Sequence, residues 1–462
     1  MMSLFLHAFG ARYDLPISLA LYLYAAGGVV VVSFVMVAVF ASDRTGARAV
    51  AYPRRPAPLL LALGRSPVVR GLTGAIAVLS LLTVVVTGYL GAQNALVNPA
   101  SYLVWIFFWA GMVILSGLVG NLWTLFNPWT ALYDLVTRGG RPLPRLRLPE
   151  SAGIWPAALV YLLFTLFELA SGVANRPAVV ATMVVVYSAV TLAGMALFGR
   201  DQWLRSCEGF TVLFSIVGRF GPVETERDEA GRLQGVWLRP WGTGLLQGQR
   251  AGWDWVVFVI LMLSSLAFDG IIAPTPAWQD FDLALLPWVQ GLGALGEPVI
   301  RTLGMLLLAG AFLLIFVAFV RLMLFFGGAR GEELPAMTAF ALTLVPIALV
   351  YNAAHNYSYL TYNVQLVIPL LADPLQRGWR LLPTAGYRPS LALTGAQTVW
   401  LTQIVLIVLG HVIAVYLAHL RAGERFRSAQ RALLSQYPML VLMVLYTMTS
   451  LWILAQPITR EV

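Results

Sequence analysis

Runs of about twenty apolar residues, nearly free of charge, recur from one end of the chain to the other. At 1.5 Å per residue, each is long enough to cross the ~30 Å hydrocarbon core of a bilayer as a helix. They fall near residues 17–41, 72–93, 101–120, 154–171, 178–198, 253–274, 302–320, 336–371, 398–420 and 439–456. Inside hydrocarbon every backbone N–H and C=O needs an internal partner, so such segments fold as helices packed on one another. The expected fold class is therefore all-α: a polytopic integral membrane helix bundle of about ten crossings, forming a single domain over residues 1–462. With 59% hydrophobic and 11% charged residues, the chain lacks the polar surface that a soluble fold of this length needs.

The net charge of +9 comes from 30 basic residues, all of them Arg. They gather between the apolar runs: Arg44, Arg48, Arg54, Arg55, Arg65 and Arg70 in one segment, Arg138, Arg141, Arg145 and Arg147 in another, and Arg421, Arg425, Arg427 and Arg431 near the end. Placing these segments in the cytoplasm puts about 22 Arg inside and obeys the positive-inside bias. Both chain ends are then expected outside a bacterial cytoplasmic (inner) membrane. The charge thus orients the chain, and no nucleic-acid partner is expected. The first run is too long for a signal-peptide core and lacks a basic segment before it, so it is expected to remain as a crossing. Two amphipathic helices are expected on the cytoplasmic interface. One lies near 127–137, opened by the cap-like Asn127-Pro128-Trp129, and the other near 202–218, with Trp203, Cys207, Phe210, Phe214 and Val217 on one face.

A single cysteine, Cys207, leaves no intramolecular disulfide and no cysteine-built metal cluster for this chain alone. The absence of Lys removes Schiff-base chemistry. Phosphate-loop, nucleophile-elbow and H-E-x-x-H patterns are also missing, so ATP-driven transport, elbow-type serine hydrolysis and zincin chemistry lack support.

The stretch from Tyr351 to Asn363 is the exception to the greasy pattern. On a helix, Asn352, His355, Asn356, Tyr359, Tyr362 and Asn363 share roughly a third of the circumference. Polar side chains in hydrocarbon face other helices, a water-filled cavity or a ligand. The stripe is therefore either interhelical glue or the lining of an internal site. Two carboxylates, Glu168 and Asp269, are expected at similar depth, and Asp269 precedes Gly270 and Pro274 as if near an irregular helix end. The 336–371 run would span roughly 50 Å as one helix, so it must kink, tilt or break, most simply at Pro346. His411 and His419 lie too far apart to share a metal ion. His355 and His411 are candidates for ligating a b-type haem, and His7 joins them as a divalent-metal candidate. Tyr13, Asp14 and His7 are placed where they could close over the site.

Several short patches carry a family resemblance: His7-Ala-Phe-Gly with Tyr13-Asp14-Leu15-Pro16, Asn127-Pro128-Trp129, Phe268-Asp269-Gly270, Ala354-His355, and Gly410-His411 through His419. In these the chain resembles a family of bacterial polytopic membrane proteins often labelled "fenitrothion hydrolase". The label implies hydrolysis of organophosphate triesters, for which a metal-activated water held by His and carboxylate ligands is the expected chemistry.

Three functions follow as expectations. The first is a permease or channel-like protein for a small solute or ion, with Asn352, His355, Asn356 and Tyr359 lining its site and Asp269 or Glu168 carrying a proton or a counter-charge. The second is a membrane-embedded, metal-dependent hydrolase of organophosphate-like esters. The third is a membrane subunit of a respiratory complex, with or without haem b. In each the expected partners are the lipid bilayer and, in the first two, a small-molecule substrate.

Overall fold

The computed structural model describes residues 13–40, 46, 50–137, 146–228, 231–272, 275–329, 331–384, 386–426, 428–456 and 459–460. His7, Arg12, Arg44, Arg48, Arg138, Arg141, Arg145, Pro274 and Arg427 lie outside the described residues. In chain order the helices are α1 (Leu19–Phe40), α2 (Pro58–Arg65), α3 (Pro67–Leu90), α4 (Pro99–Val119), α5 (Trp123–Phe126), α6 (Pro128–Val136), α7 (Trp155–Ala170), α8 (Pro177–Phe198), α9 (Arg200–Ser206) and α10 (Gly209–Gly218). They continue as α11 (Trp253–Ile272), α12 (Pro276–Val289), α13 (Gly296–Gly327), α14 (Glu333–Leu342), α15 (Val345–His355), α16 (Tyr357–Asn363), α17 (Val367–Ala372), α18 (Ala396–Arg425) and α19 (Ala429–Ala455). Among the described residues 10 helical segments are long and apolar enough to cross a membrane. The chain is an all-α, polytopic helical protein of the membrane class.

The chain divides into two compact units. Unit 1 comprises residues 1–53, 241–358 and 392–462; unit 2 comprises 54–240 and 359–391. In unit 1, α19 packs against α1, α13 and α18, while α15 packs against α11 and α18. Its most buried crossings are the α11 segment, 72% buried, and the α14–α15 segment, 83% buried; these two carry the candidate site. Two residues of strand, β1 (Tyr13–Asp14), run parallel to β5 (Thr459–Arg460), which gives the Asp14 segment a fixed backbone partner.

In unit 2, α3 packs on α8 and α6, and α10 packs on α7 and the end of α4. Helix starts follow local chemistry: Asn127 caps α6 by accepting from the Thr130 N–H at 3.0 Å, and Pro128 takes the first turn, where its missing N–H costs nothing. This first expected interfacial helix has the start read from the sequence. Within α4 the ten residues Tyr102–Gly111 wind as a π-helix, an arrangement found mostly as single turns.

The structure corrects several expectations. The crossing expected at 302–320 belongs to a longer segment, α12 to α13, in which Arg301 pairs with Glu297 and Arg321 with Glu333 at 3.2 Å. The 336–371 run is not one crossing. It breaks at Thr343–Leu344, just before Pro346 in the first turn of α15, and again at Asn356, leaving Glu333–His355 as the spanning segment. The helix expected near 202–218 is two, divided at Cys207-Glu208, because Glu208 caps α10 and starts a new helix there. Eight of the ten α10 residues are buried, so it is an internal helix and not an amphipathic one at the interface.

Two strands between α10 and α11 join one before α2 in a small antiparallel sheet in the order β2 (Arg55–Pro56), β4 (Leu233–Leu238), β3 (Val223–Arg227). Glu224 is its electrostatic centre, accepting from Arg239 at 3.0 Å and Arg54 at 3.1 Å. Arg239 also donates to the Gly221 and Arg219 carbonyls, so each nitrogen of this buried guanidinium has a partner, in keeping with the cost of burying charge.

Candidate functional site

Asp269 and His355 meet in unit 1. Asp269 sits in the last turn of α11 and His355 ends α15, and their Oδ2 and Nε2 atoms are 3.0 Å apart. The side chains are 20% and 9% exposed, respectively, so the pair is shielded but the carboxylate reaches an accessible surface. The two atoms are within ion-pairing distance, yet His355 Nε2 has no hydrogen-bond partner of good geometry among the described residues.

Local sequence explains the placement. Proline at the start of α15 lets the helix begin afresh after the Thr343–Leu344 break. From there Val345 through Asn352 are all buried, and the helix stops at His355 because Asn356 leaves helical geometry (φ −88°, ψ 5°). Tyr351, 1% exposed, lies one turn before His355, with the two rings parallel within 10° at 6.1 Å between centroids. Gly270, next to Asp269, has a structural reason to be glycine: a Cβ there would fall 2.4 Å from the Tyr351 hydroxyl.

Around the pair, polar groups belonging to a buried helix core accumulate. Asn352 is 1% exposed, and its backbone carbonyl accepts from the Asn356 side chain at 3.1 Å. Gln403 of α18 donates to the Ala354 carbonyl at 3.1 Å, satisfying an orphan carbonyl at the end of α15. Among the described residues the Tyr351 hydroxyl, Asn352 Oδ1, Gln403 Oε1, His411 Nε2 and Ser450 Oγ are buried without a hydrogen-bond partner. Native interiors rarely leave such groups unmatched, which sets this core apart from the apolar packing around it.

The sequence-based site is thus partly assembled. Asp269 and His355 come together in unit 1, where Asn352 and Asn356 flank His355 along the chain, whereas Tyr359 and Glu168 belong to unit 2. There Tyr359 interacts electrostatically with Tyr102 and Glu168 and packs on the cluster of Tyr102, Ile106 and Leu370. The stripe from Asn352 to Asn363 is not one helix face, since the break at Asn356 resets the rotation. His355 and His411 occupy different levels: Gly410 faces Val350, five residues before His355, or about 7 Å along the axis. Tyr351, Ala354 and Ile407 share the core cluster there. No group of three or more His, Cys, Asp or Glu side chains close enough to hold a metal ion occurs among the described residues. Tyr351 was read only as the start of the polar stretch, and Gln403, Tyr446 and Ser450 escaped the sequence reading. Their signal was available, a polar residue inside an apolar run, but isolated residues give no period to detect.

Unit 2 holds a cavity of about 180 Å³ lined by aromatic and aliphatic side chains including Phe107, Phe108, Trp129 and Phe210. Beside it, Glu208 is 1% exposed. Its carboxylate accepts from the Phe210 N–H at 3.0 Å, the Thr211 N–H at 2.7 Å, and the hydroxyls of Thr211 and Tyr187. Burial pushes the Glu208 carboxyl above the usual range, outweighing the hydrogen bonds that favour its ionised form.

Comparison of the chain with family models, curated proteins and solved structures finds no match.

Proposed function

We propose that the chain is a proton-coupled permease for a small solute or ion, with Asp269 and His355 as its proton-binding pair. The observation that carries this reading is the 3.0 Å contact between the two side chains, made between the two most buried crossings. An ionisable pair inside a membrane bundle is costly to keep, and such pairs characteristically mark ion and proton pathways. Asn352 and Asn356 supply neutral hydrogen-bonding groups beside it, a chemistry suited to a solute that sheds its water.

Purified protein in liposomes containing a pH-sensitive dye tests the assignment. Wild-type vesicles are expected to pass protons under an imposed gradient, with Asp269→Asn and His355→Gln each lowering the rate at least tenfold. Wild-type vesicles no leakier than empty ones, or an Asp269→Asn protein as active as wild type, would overturn it.

The same reading places the protein in a bacterial cytoplasmic membrane with the Arg-rich segments inside, so the segment from Asp373 to Gly395 faces outward. Arg388 is exposed there, while the native Cys207 is buried. An Arg388→Cys protein in intact cells is expected to react with a membrane-impermeant maleimide. Labelling only after the cells are opened would reverse the orientation.

A further inference from the structure

We propose that the aromatic cavity of unit 2 binds a neutral, membrane-dissolved molecule with a flat, carbonyl-bearing ring, the chemistry of a quinone. The proposal goes beyond the proton-coupled reading and shares no residue with it.

Five rings that line the cavity touch one another in a closed circuit. Trp123 meets Trp129 at 5.7 Å between centroids, Trp129 meets Tyr187 at 4.9 Å, and Tyr187 meets Phe210 at 5.4 Å. Phe210 then meets Phe108 at 4.6 Å, and Phe108 returns to Trp123 at 5.2 Å. The planes are inclined by 49–72° at every contact, so the rings brace one another without stacking and leave faces for a further flat ring. An apolar cavity of about 150 Å³ accepts benzene, and one of about 180 Å³ accommodates a six-membered ring with its oxygens.

Helix α4 builds its part of the wall from the π-wound stretch. Leu103, Val104, Phe107 and Phe108 all line the cavity, at spacings of four and five that a ladder reaching five residues back brings together. Windings of this kind recur at functional sites. Ile76 of α3 and Phe107 line the cavity yet are exposed, and both belong to segments apolar enough to cross a membrane. The cavity therefore opens toward hydrocarbon, which is the route in for a lipid-soluble ligand and the place where its tail stays.

The polar groups select among such ligands. Three of the five rings carry a donor. The Trp129 N–H donates to Ser188 Oγ at 2.8 Å, and the Tyr187 hydroxyl donates to Glu208. Trp123 is 4% exposed, and its N–H is buried without a partner among the described residues. A buried donor left unmatched is costly, and an acceptor on the ligand removes that cost. A ring carbonyl is such an acceptor; an acyl chain is not. No charged side chain lines the cavity among the described residues, so an ionic ligand would give up its hydration for no counter-charge.

The full-length protein in nanodiscs tests the proposal with an azido-benzoquinone bearing a decyl tail. On illumination the label is expected in the peptides that carry Phe107, Phe108 and Trp123, and decyl-benzoquinone without the azide is expected to displace it. Decane and decyltrimethylammonium, matched in tail length, are expected to leave it in place. Trp123→Phe keeps an aromatic ring and removes the free N–H, so it should weaken displacement about tenfold, the worth of one hydrogen bond. Trp129→Phe, whose N–H is already engaged, should weaken it less than about threefold. Label absent or outside these peptides overturns the proposal. Equal displacement by decane, or by the ammonium compound, does so too, by making the occupant an acyl chain or a cation. A Trp123→Phe loss no larger than that of Trp129→Phe overturns it as well, and if either variant fails to fold the wild-type competition decides alone. Proton flux through Asp269 and His355 is read separately in liposomes, and neither result determines the other.

Discussion

Glu208→Ala is expected to lower the thermal midpoint of the detergent-solubilised protein by roughly 10 °C, corresponding to about 3–5 kcal/mol. The substitution removes the cap of α10 and strands several donors in an apolar interior: the Tyr187 hydroxyl, the Thr211 hydroxyl and the Phe210 and Thr211 amides. Cap loss alone accounts for about 1 kcal/mol, and each abandoned buried donor adds on the order of 1–3 kcal/mol before relaxation. Glu208→Gln keeps one carbonyl acceptor and is expected to lose less than half as much. The pH dependence has a definite sign. The folded carboxyl is raised above its unfolded value, so its contribution to stability is fully present below the ordinary carboxyl range and is lost as pH rises through the folded value. The wild-type midpoint should therefore fall across that window with a slope that Glu208→Gln abolishes. An unchanged midpoint in Glu208→Ala would show that α10 is held by packing alone.

The second large effect is expected at Gly410→Ala. A Cβ at this position would lie 2.1 Å from one Val350 methyl, 3.0 Å from the other and 3.1 Å from the Val350 Cβ. Because both methyls and the branch point are close, no χ1 rotation of valine clears the space. Helices α15 and α18 must separate, at an overpacking cost of about 1–3 kcal/mol. The separation also pulls Gln403 from the Ala354 carbonyl, next to His355, so proton flux is expected to fall with stability. Val350→Ala removes both methyls, and in the Gly410→Ala/Val350→Ala double variant the midpoint is expected to exceed the additive sum by about 1 kcal/mol or more. Strict additivity would mean that the two helices do not meet at these residues.

The helical architecture was legible because hydrocarbon demands long apolar runs, and the spans near 178–198 and 253–274 differ from the observed helices by at most two residues at either end. The Asn127-Pro128 start of α6 was readable for a local reason, cap and proline chemistry acting over four residues. Two errors have a common cause: a hydrophobic period continues across a break. Apolar residues on both sides of Glu208 suggested one helix from 202 to 218, and polar ones on both sides of Asn356 suggested one stripe. Backbone termination depends on a cap or a turn that the period does not encode. Of the site, Asp269 and His355 were each identifiable as ionisable groups in apolar runs, but their meeting is a tertiary fact. Tyr351 and Gly270 gain meaning only from that meeting, and Glu168 and Tyr359, which looked equivalent in depth, belong to the other unit.

The π-wound stretch of α4 bears on how that crossing can change over time. With hydrogen bonds reaching five residues back, Tyr102–Gly111 stacks side chains at a spacing of five where the flanking turns use four. Deleting a single residue there would let the ladder rewind to ordinary pitch, and inserting one would lengthen the irregular stretch while leaving the far half undisturbed. The third crossing thus contains its own slack, a segment able to absorb a change in chain length that an unbroken α-helical span would have to transmit as a rotation of about 100° to all residues beyond it.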